Sequence, residues 1–335
     1  MTHTQLVGCR SRERRCRQRA RHILILRAKT LRQMDSQLTK ILASTKRGVE
    51  ERKAAASTRL LEQAAAAHRP RGFARALRQK AAGGPAVIAE LKKASPSRGL
   101  IRPDFDVATL AAGFAGAGAA ALSVLTEEHF FQGSLRNLEV ASQSCSLPCL
   151  RKDFLLDEFQ LLEARAHRAD AILLIAAALS DVELRALATQ AHALELDVLC
   201  EVHTGDELDR VLDLGCDAIG VNNRDLSTFA VHLHVSLDLA SRLPSGAVHV
   251  SESGIETAED LNRLRAAGFH AFLIGESLMR QQDPGAALEA LLVAAADRIS
   301  CHAALDGAAC APFREVVTGV ADPRGMKLVS SQKGA

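Results

Sequence analysis

Six short apolar runs of this sequence end in charged, amide or small polar residues, which are the best candidates for chemistry. Taken singly, a charge at such a position is most simply solvated or paired with a neighbouring loop. Several of them around one cavity would place ionisable groups where unpaired burial is costly, so an ionic ligand is their natural partner. Positioned lysines and carboxylates also serve as general acids and bases. The six run ends are Glu90-Leu91-Lys92, Arg151-Lys152-Asp153, Glu201, Asn222-Asn223-Arg224, Glu252-Ser253-Gly254 and Gly275-Glu276.

Small residues at the last two of these run ends indicate the kind of anion. Ser253-Gly254-Ile255 and Gly275-Glu276-Ser277 leave room for a ligand to approach the backbone closely. Loops after the last strands of a barrel commonly bind phosphate through backbone N–H groups. Ser95-Pro96-Ser97 supplies hydroxyl donors for the same anion, or is simply a turn and helix cap. We therefore expect a phosphorylated small molecule as the ligand.

Eight apolar runs, each followed by an amphipathic helical pattern, are the elements that would position these residues. Nearly continuous apolar strands that alternate with helices are typical of a parallel sheet covered by helices. Eight units in about 200 residues predict a single (β/α)8 barrel. An open doubly wound sheet is the alternative, but no G-x-G-x-x-G follows residue 91. The predicted strands are 86–91, 120–125, 149–154, 171–176, 197–202, 218–223, 247–252 and 271–276.

Composition agrees with a globular, cytoplasmic protein. The chain has 335 residues, 47% of them hydrophobic and 24% charged, which is enough apolar material for a large core. No apolar run is long enough to span a bilayer, so no membrane association is expected. Eight cysteines without a C-x-x-C pair favour reduced thiols over disulfides or a zinc site.

The chain is predicted to have three parts. Residues 1–33 carry nine Arg and one Lys against one Glu, a net charge of +9, whereas the whole chain carries +3. This head has three interpretations: an upstream start that the cell does not use, a transit-like peptide, or a nucleic-acid-binding arm. We expect Met34 to be the working start, a barrel domain over 34–298 whose segment 34–85 adds helices that cap one end, and an irregular tail over 299–335.

Seven stretches of this sequence closely resemble indole-3-glycerol phosphate synthase, from about Met34 to about residue 295. Collinear agreement of this length is far more specific than a single glycine motif. Other phosphate-binding barrels share the glycines of the last two strands, but lack the combination of ELKKASPS, LRKDF and NNRDL. The stretches are AVIAELKKASPSRG at 86–99, SVLTEEHFFQGS at 123–134, CLRKDFLLDEFQ at 149–160, LCEVH at 199–203, IGVNNRDL at 219–226, VSESGI at 250–255 and LIGESLM at 273–279.

The resemblance implies a reaction and an acid–base pair. The substrate would be 1-(2-carboxyphenylamino)-1-deoxy-D-ribulose 5-phosphate, which closes its ring onto the C2 carbonyl and then loses CO2 and water, without a metal or redox cofactor. By position, Lys152 is the general acid that protonates the carbonyl oxygen, and Glu201 is its partner carboxylate. Glu90 and Lys92 correspond to a second acid–base pair, in which Lys92 also faces the anionic substrate.

The resemblance also assigns the binding residues. Asn222 and Arg224 correspond to groups that hold the substrate, and Glu252 and Ser253 support the same wall. Ser95 and the backbone of Gly254, Gly275 and Glu276 correspond to the phosphate cradle. The apolar candidates for the anthranilate ring are Phe130, Phe131 and Phe154, with core packing as the simpler reading for at least one.

Other functions remain open from the residues alone. A different ribulose-phosphate barrel, such as an isomerase of the tryptophan or histidine pathway, would use other acid–base residues. A barrel retained as a basic RNA-binding protein would need the Arg-rich head, but intact acid–base positions argue against it and we expect no nucleic-acid partner. Other tryptophan-pathway enzymes are the expected protein partners. His232 and His234 have the spacing of a metal pair, but no third ligand lies nearby, which favours solvated histidines.

Overall fold

The structure, a computed structural model, describes residues 37–225 and 228–307, with side chains described as far as residue 296. The predicted head, residues 1–33, and residues 308–335 of the predicted tail lie outside the described residues. The last helix continues past residue 298, the predicted end of the barrel domain, to Gly307. The chain divides into two compact units, Met1–Ala296 and Asp297–Ala335, and the barrel belongs to the first.

Eight parallel strands form a closed barrel in chain order, which confirms the predicted (β/α)8 fold. Strand β1 closes the ring by pairing with both β2 and β8. Six strands are one or two residues shorter than predicted. For example, β3 ends at Lys152 because Asp153 turns its carboxylate onto the backbone N–H of Phe154. The strands are β1 Ala86–Leu91, β2 Ala121–Leu125, β3 Cys149–Lys152, β4 Ala171–Ile175, β5 Asp197–Val202, β6 Ala218–Asn222, β7 Val248–Glu252 and β8 Ala271–Ile274.

Side chains along each strand alternate between the barrel interior and the layer under the helices, as the period of two requires. In β1, Ala86 and Ile88 belong to the inner core, whereas Val87 and Leu91 pack in the outer one. The inner positions near the strand starts are apolar, and the same positions near the ends carry Glu90, the lysine of β3 and the glutamates of β5 and β7. The alternation therefore collects the predicted acid–base residues inside the carboxyl end of the barrel.

Six of the helices that follow the strands have first turns capped by Ser, Thr or Asp. The capping residues of six helices accept a hydrogen bond from a backbone N–H in the first turn, and each such cap contributes about 1 kcal/mol. The first helix, α1, covers residues 37–55. The others are α2 Thr58–Ala67, α3 Phe73–Ala81, α4 Val107–Gly116, α5 Leu135–Ser144, α6 Glu158–Ala166, α7 Asp181–Ala193, α8 Gly205–Val211, α9 His234–Leu239, α10 Ala258–Ala266, α11 Glu276–Met279 and α12 Pro284–Gly307.

The N-terminal helices contact both ends of the barrel, although the sequence predicted a cap at one end only. Phe73 and Leu77 of α3 are fully buried and pack in the inner core with the first residues of β1, β2 and β4, which closes the amino-terminal end. Leu38 and Ile41 of α1 line the cavity at the other end. Arg52 of α1 ties this helix to the barrel through an ion pair with Glu163 of α6, with Nε and Oε1 2.7 Å apart.

The helices and the cysteines bear on two further expectations from the sequence, on membrane crossing and on disulfides. Within the described ranges, no helix combines the length and hydropathy that a membrane crossing requires. The four cysteines of the described barrel are free thiols, as expected: Cys145, Cys149, Cys200 and Cys216.

Candidate active site

A cavity of about 410 Å³ opens at the carboxyl end of the barrel. Thirteen residues that the sequence predicted for catalysis or binding line it together, whereas Arg151 and Asn223, at the same strand ends, do not. They come from five of the eight strands, from the segments after those strands, and from the segment after β8. The thirteen residues are Glu90, Lys92, Ser95, Lys152, Phe154, Glu201, Asn222, Arg224, Glu252, Ser253, Gly254, Gly275 and Glu276.

Lys152 stands at the centre of the charged groups. Its Nζ atom lies 2.7 Å from Oε2 of Glu201 and 3.4 Å from Oε2 of Glu252. Burial disfavours the ammonium, but the charges of Glu201, Glu252 and Glu90 raise the pKa of Lys152 above its usual value. Lys152 is therefore protonated in the free protein.

The two carboxylates beside Lys152 differ in their proton affinity. Burial would raise the pKa of Glu201, but the charges of Lys152 and His203 lower it to about 2. Burial raises the pKa of Glu252 to about 8, opposed by Lys152 and reinforced by the charges of Glu201 and Glu90. At neutral pH Glu201 is thus ionised and Glu252 is protonated.

Glu90 and Lys92 form a second ion pair in the pocket, at the end of β1. Lys92 Nζ lies 2.5 Å from Oε1 of Glu90, and the Glu90 side chain is buried. Gly275 leaves the space that Glu90 occupies, because a Cβ atom at this position would collide with the Glu90 carboxylate. The sequence suggested that Gly275 allows a ligand to approach the backbone; the structure adds a contact with Glu90.

The segments after β1, β6 and β8 gather three arginines around Glu276. Arg98 Nε and Arg280 Nη2 each lie 3.0 Å from Oε1 of Glu276, and Arg224 Nη2 lies 3.4 Å from Oε2. Sequence reasoning missed Arg98 and Arg280. Arg280 carried one signal, because it follows Glu276 by four residues and thus shares its helix face.

The backbone after β7 has an unusual conformation next to these arginines. Ser253 and Gly254 both adopt left-handed φ angles, 67° and 78°. Such a conformation costs little for glycine and more for serine, so the surrounding structure must hold Ser253 in place. A turn of this kind can present backbone N–H groups to an anion.

Amide side chains after β6 have two separate functions. Asn222 faces the pocket, where it hydrogen-bonds Glu201 and accepts the backbone N–H of Arg224 at 3.0 Å. Asn223 is buried on the other side and donates to Ser251 Oγ and to the backbone carbonyls of Glu252 and Ser253. The adjacent residue thus fixes β7 against β6, although both asparagines were candidates from the sequence.

Arg151 likewise turns away from the pocket. Its guanidinium is buried under α6 and contacts Asp153 Oδ2 at 3.0 Å and the backbone carbonyl of Gln160 at 2.7 Å. This network fixes the end of β3 and so orients Lys152.

The apolar wall of the pocket contains two of the three predicted phenylalanines. The rings of Phe131 and Phe154 lie 6.3 Å apart between centroids, and both line the cavity with Leu38 and Ile41 of α1. Phe130 does not line the cavity. Glu127 holds the loop by accepting the backbone N–H groups of Phe130 and Phe131.

Over residues 37–225 and 228–296, no group of three His, Cys, Asp or Glu side chains has the arrangement of a metal site. His232 and His234 lie with ring centroids 5.3 Å apart, and both are exposed outside the cavity. These two residues match the solvated interpretation.

Comparison with solved structures supports the fold alone. KGPDC from Streptococcus mutans superposes with a TM-score of 0.51 at 12% identity, covering 64% of this chain and 98% of that one. A mandelate oxidase superposes with a TM-score of 0.50 at 18% identity, covering 67% of this chain and 75% of that one.

Comparison of sequences is far more specific. The family model described as indole-3-glycerol phosphate synthase matches residues 38–291. The indole-3-glycerol phosphate synthase of Koribacter versatilis is 58% identical over 259 residues, 77% of this chain and 100% of the relative. The indole-3-glycerol phosphate synthase of Dechloromonas aromatica is 49% identical over 260 residues, which are 77% of this chain and 99% of the relative. With this agreement over the barrel and its site, the chain belongs to the indole-3-glycerol phosphate synthase family.

Proposed function

We propose that this pocket closes the indole ring of 1-(2-carboxyphenylamino)-1-deoxy-D-ribulose 5-phosphate, with Lys152 as the general acid and Glu201 as its partner carboxylate. The observation that carries the proposal is the buried Lys152–Glu201 pair at 2.7 Å in the centre of the cavity. A carbon of the aromatic ring attacks the C2 carbonyl, and the carbonyl oxygen takes a proton as charge develops on it. CO2 then leaves, and loss of water completes the indole.

Lys152 suits the first step for an electrostatic reason. Its carboxylate neighbours keep it protonated, and a developing alkoxide is basic enough to accept that proton. The pocket is partly closed to water, which strengthens the interaction between the ammonium and the developing negative charge. Glu201 remains ionised beside Lys152 and can receive a proton later in the cycle, whereas protonated Glu252 adds no second full charge.

The second pair suits the dehydration step. Glu90 and Lys92 are in contact with each other in the pocket and together can exchange a proton with the intermediate. Lys92 also balances the negative charge of the substrate. Asn222 orients Glu201 and lies where it can hold a substrate hydroxyl.

The phosphate is proposed to bind where the loops after β7 and β8 meet. Support comes from the left-handed turn at Ser253 and Gly254, from Ser95 and the backbone of Gly275 and Glu276, and from the nearby arginines. Phe154 and Phe131 form the apolar wall suited to the anthranilate ring. Both ends of the substrate therefore have a matching surface.

Growth complementation tests the activity directly. A tryptophan auxotroph that lacks this step should grow without tryptophan when it expresses the chain, and should not grow with the Lys152→Ala variant at equal protein level. Growth of neither strain, with folded protein present, would reject the proposed activity. Growth of both would reject the role of Lys152.

A further inference from the structure

His203, immediately after β5, lies between two carboxylates outside the set assigned above. Its Nε2 atom lies 3.4 Å from Oε1 of Glu201, and its Nδ1 atom lies 3.2 Å from Oε2 of Glu207 in α8. Only 10% of the His203 side chain is exposed. The same Glu207 oxygen accepts the backbone N–H of His203 at 2.7 Å, so both the ring and the main chain of this residue are fixed.

The geometry favours the doubly protonated imidazole. A neutral ring donates through one nitrogen only and would direct the lone pair of the other nitrogen at a carboxylate oxygen. Nε2 is buried and makes no hydrogen bond of its own, so the carboxylate of Glu201 is the charge it faces. Three carboxylates act on the ring: Glu201 of β5, Glu207 of α8 and Glu252 of β7. Burial lowers the pKa of His203, but these carboxylates raise it above its usual value.

A protonated His203 gives Glu201 a second cationic neighbour in addition to Lys152. One oxygen of that carboxylate faces Lys152 and the other faces His203. When Lys152 gives its proton to the substrate, Glu201 loses the attraction of one cation, and His203 supplies the remaining one. Glu252 lies in the same pocket without an equivalent partner for its Oε1 atom. His203 thus helps to explain why two neighbouring carboxylates differ in protonation.

We propose that His203 is a positioning residue for the reaction: anchored by Glu207, its imidazolium holds Glu201 ionised and aligned with Lys152. The inference rests on the roles proposed for Lys152 and Glu201. Because the proposal concerns the proton affinity of Glu201, it predicts that replacing His203 changes the pH dependence of kcat. Replacing a purely structural residue would not have this effect.

The test compares pH profiles of kcat for the full chain and two variants. His203→Gln keeps a hydrogen-bond donor without charge, and His203→Leu removes both. In each, the pKa of Glu201 rises, so the acidic limb of kcat should move to higher pH, by about one unit or more. On this limb kcat should be about tenfold lower than in the wild type at the same pH, with recovery to the wild-type value near neutral pH and little change in KM. Glu207→Gln should shift the limb in the same direction by a smaller amount.

His192→Asn is the matched control, because His192 also pairs with a carboxylate, Asp217 at 2.9 Å, away from the cavity. Its profile should equal that of the wild type. A pH-independent fall in kcat, or a wild-type limb in His203→Gln, would overturn the inference. If Lys152→Ala remains active, the proposed function fails first, so the two failures are distinguishable.

Ring nitrogen NMR provides a check that does not depend on activity. The His203 signals, assigned by their loss in His203→Gln, should show both nitrogens protonated at pH 7 in the free protein. A neutral ring at that pH would contradict the inference even if the variants are inactive.

Discussion

Glu201 and Glu252 contact the same ammonium, that of Lys152, at 2.7 and 3.4 Å, but their proton affinities are shifted in opposite directions. The pKa of Glu201 is lowered to about 2 and that of Glu252 is raised to about 8. Environments that separate two carboxylates in this way assign them different functions. Of these two carboxyl groups, Glu201 is the ionised one beside Lys152 at neutral pH.

Glu252 should make stability depend on pH. Its pKa is higher in the folded chain, about 8, than in an unfolded glutamate, so folding takes up a proton here. The contribution of Glu252 to the free energy of unfolding is fully present below about pH 4 and is lost as the pH rises through about 8. We therefore expect Glu252→Gln to gain stability relative to the wild type between pH 6 and pH 9. Thermal unfolding at several pH values measures this, with exposed Glu289→Gln as the control. Parallel curves for Glu252→Gln and the wild type would contradict the prediction.

Arg224 should contribute to substrate binding more than to the chemical step. A charge-assisted hydrogen bond to a substrate anion is worth about 1.5–3 kcal/mol, so Arg224→Ala should raise KM by roughly 10- to 100-fold. Arg78→Ala is the control, since its guanidinium donates to the backbone carbonyls of Asp217 and Gly246 away from the cavity. Steady-state kinetics of Arg224→Ala and Arg78→Ala measure the change in KM. An unchanged KM for Arg224→Ala would remove this residue from the site.

Gly275 should matter because of its contact with Glu90. Its φ angle is −128°, outside the left-handed region that favours glycine, so the expected effect of Gly275→Ala is the steric one. The new Cβ would displace the Glu90 carboxylate, and we expect kcat/KM to fall by roughly tenfold or more while the fold is retained. Gly246→Ala adds the same atom into open space and should have wild-type kinetics. Equal activities of the two variants would show that the position of Glu90 is not critical.

Phe73 should stabilise the barrel from its amino-terminal end without affecting chemistry. Its side chain is fully buried in the inner core, and truncation of such a residue costs about 3–5 kcal/mol. Urea unfolding of Phe73→Ala should show this loss, whereas kcat of the folded protein should be unchanged. Leu60→Ala, at a position that is 64% exposed, is the control and should cost little. If Phe73→Ala were as stable as the control, α3 would not close the barrel.

The sequence predicted most of the site because strand periodicity carries long-range information. Once eight strands are recognised, their ends must meet around one opening, and residues such as Glu90, Lys152 and Glu201 must share it. Among adjacent polar residues at a strand end, the sequence analysis did not distinguish those that face the pocket from those that turn away. Asn223 and Arg151 were singled out with their neighbours, although the alternation of side chains turns both away from the pocket.

Residues outside the strands could not be predicted. Leu38 and Ile41 reach the cavity only because α1 packs across the mouth of the barrel, a tertiary contact without a periodic signal. Arg98 resembled any solvated arginine, and its position depends on a carboxylate far along the chain, Glu276. The role of His203 likewise depends on the helix that brings Glu207 back to it.

The most direct test of this account is the rate of CO2 release from 1-(2-carboxyphenylamino)-1-deoxy-D-ribulose 5-phosphate in a single turnover. Lys152→Ala should be slower than the wild type by roughly 10²- to 10⁴-fold, with an unchanged circular dichroism spectrum. Lys53→Ala is the control, because Lys53 pairs with Asp157 at 3.0 Å on the surface, and it should release CO2 at the wild-type rate. A Lys152→Ala variant that keeps more than about a tenth of the wild-type rate would contradict the central claim that Lys152 supplies the proton.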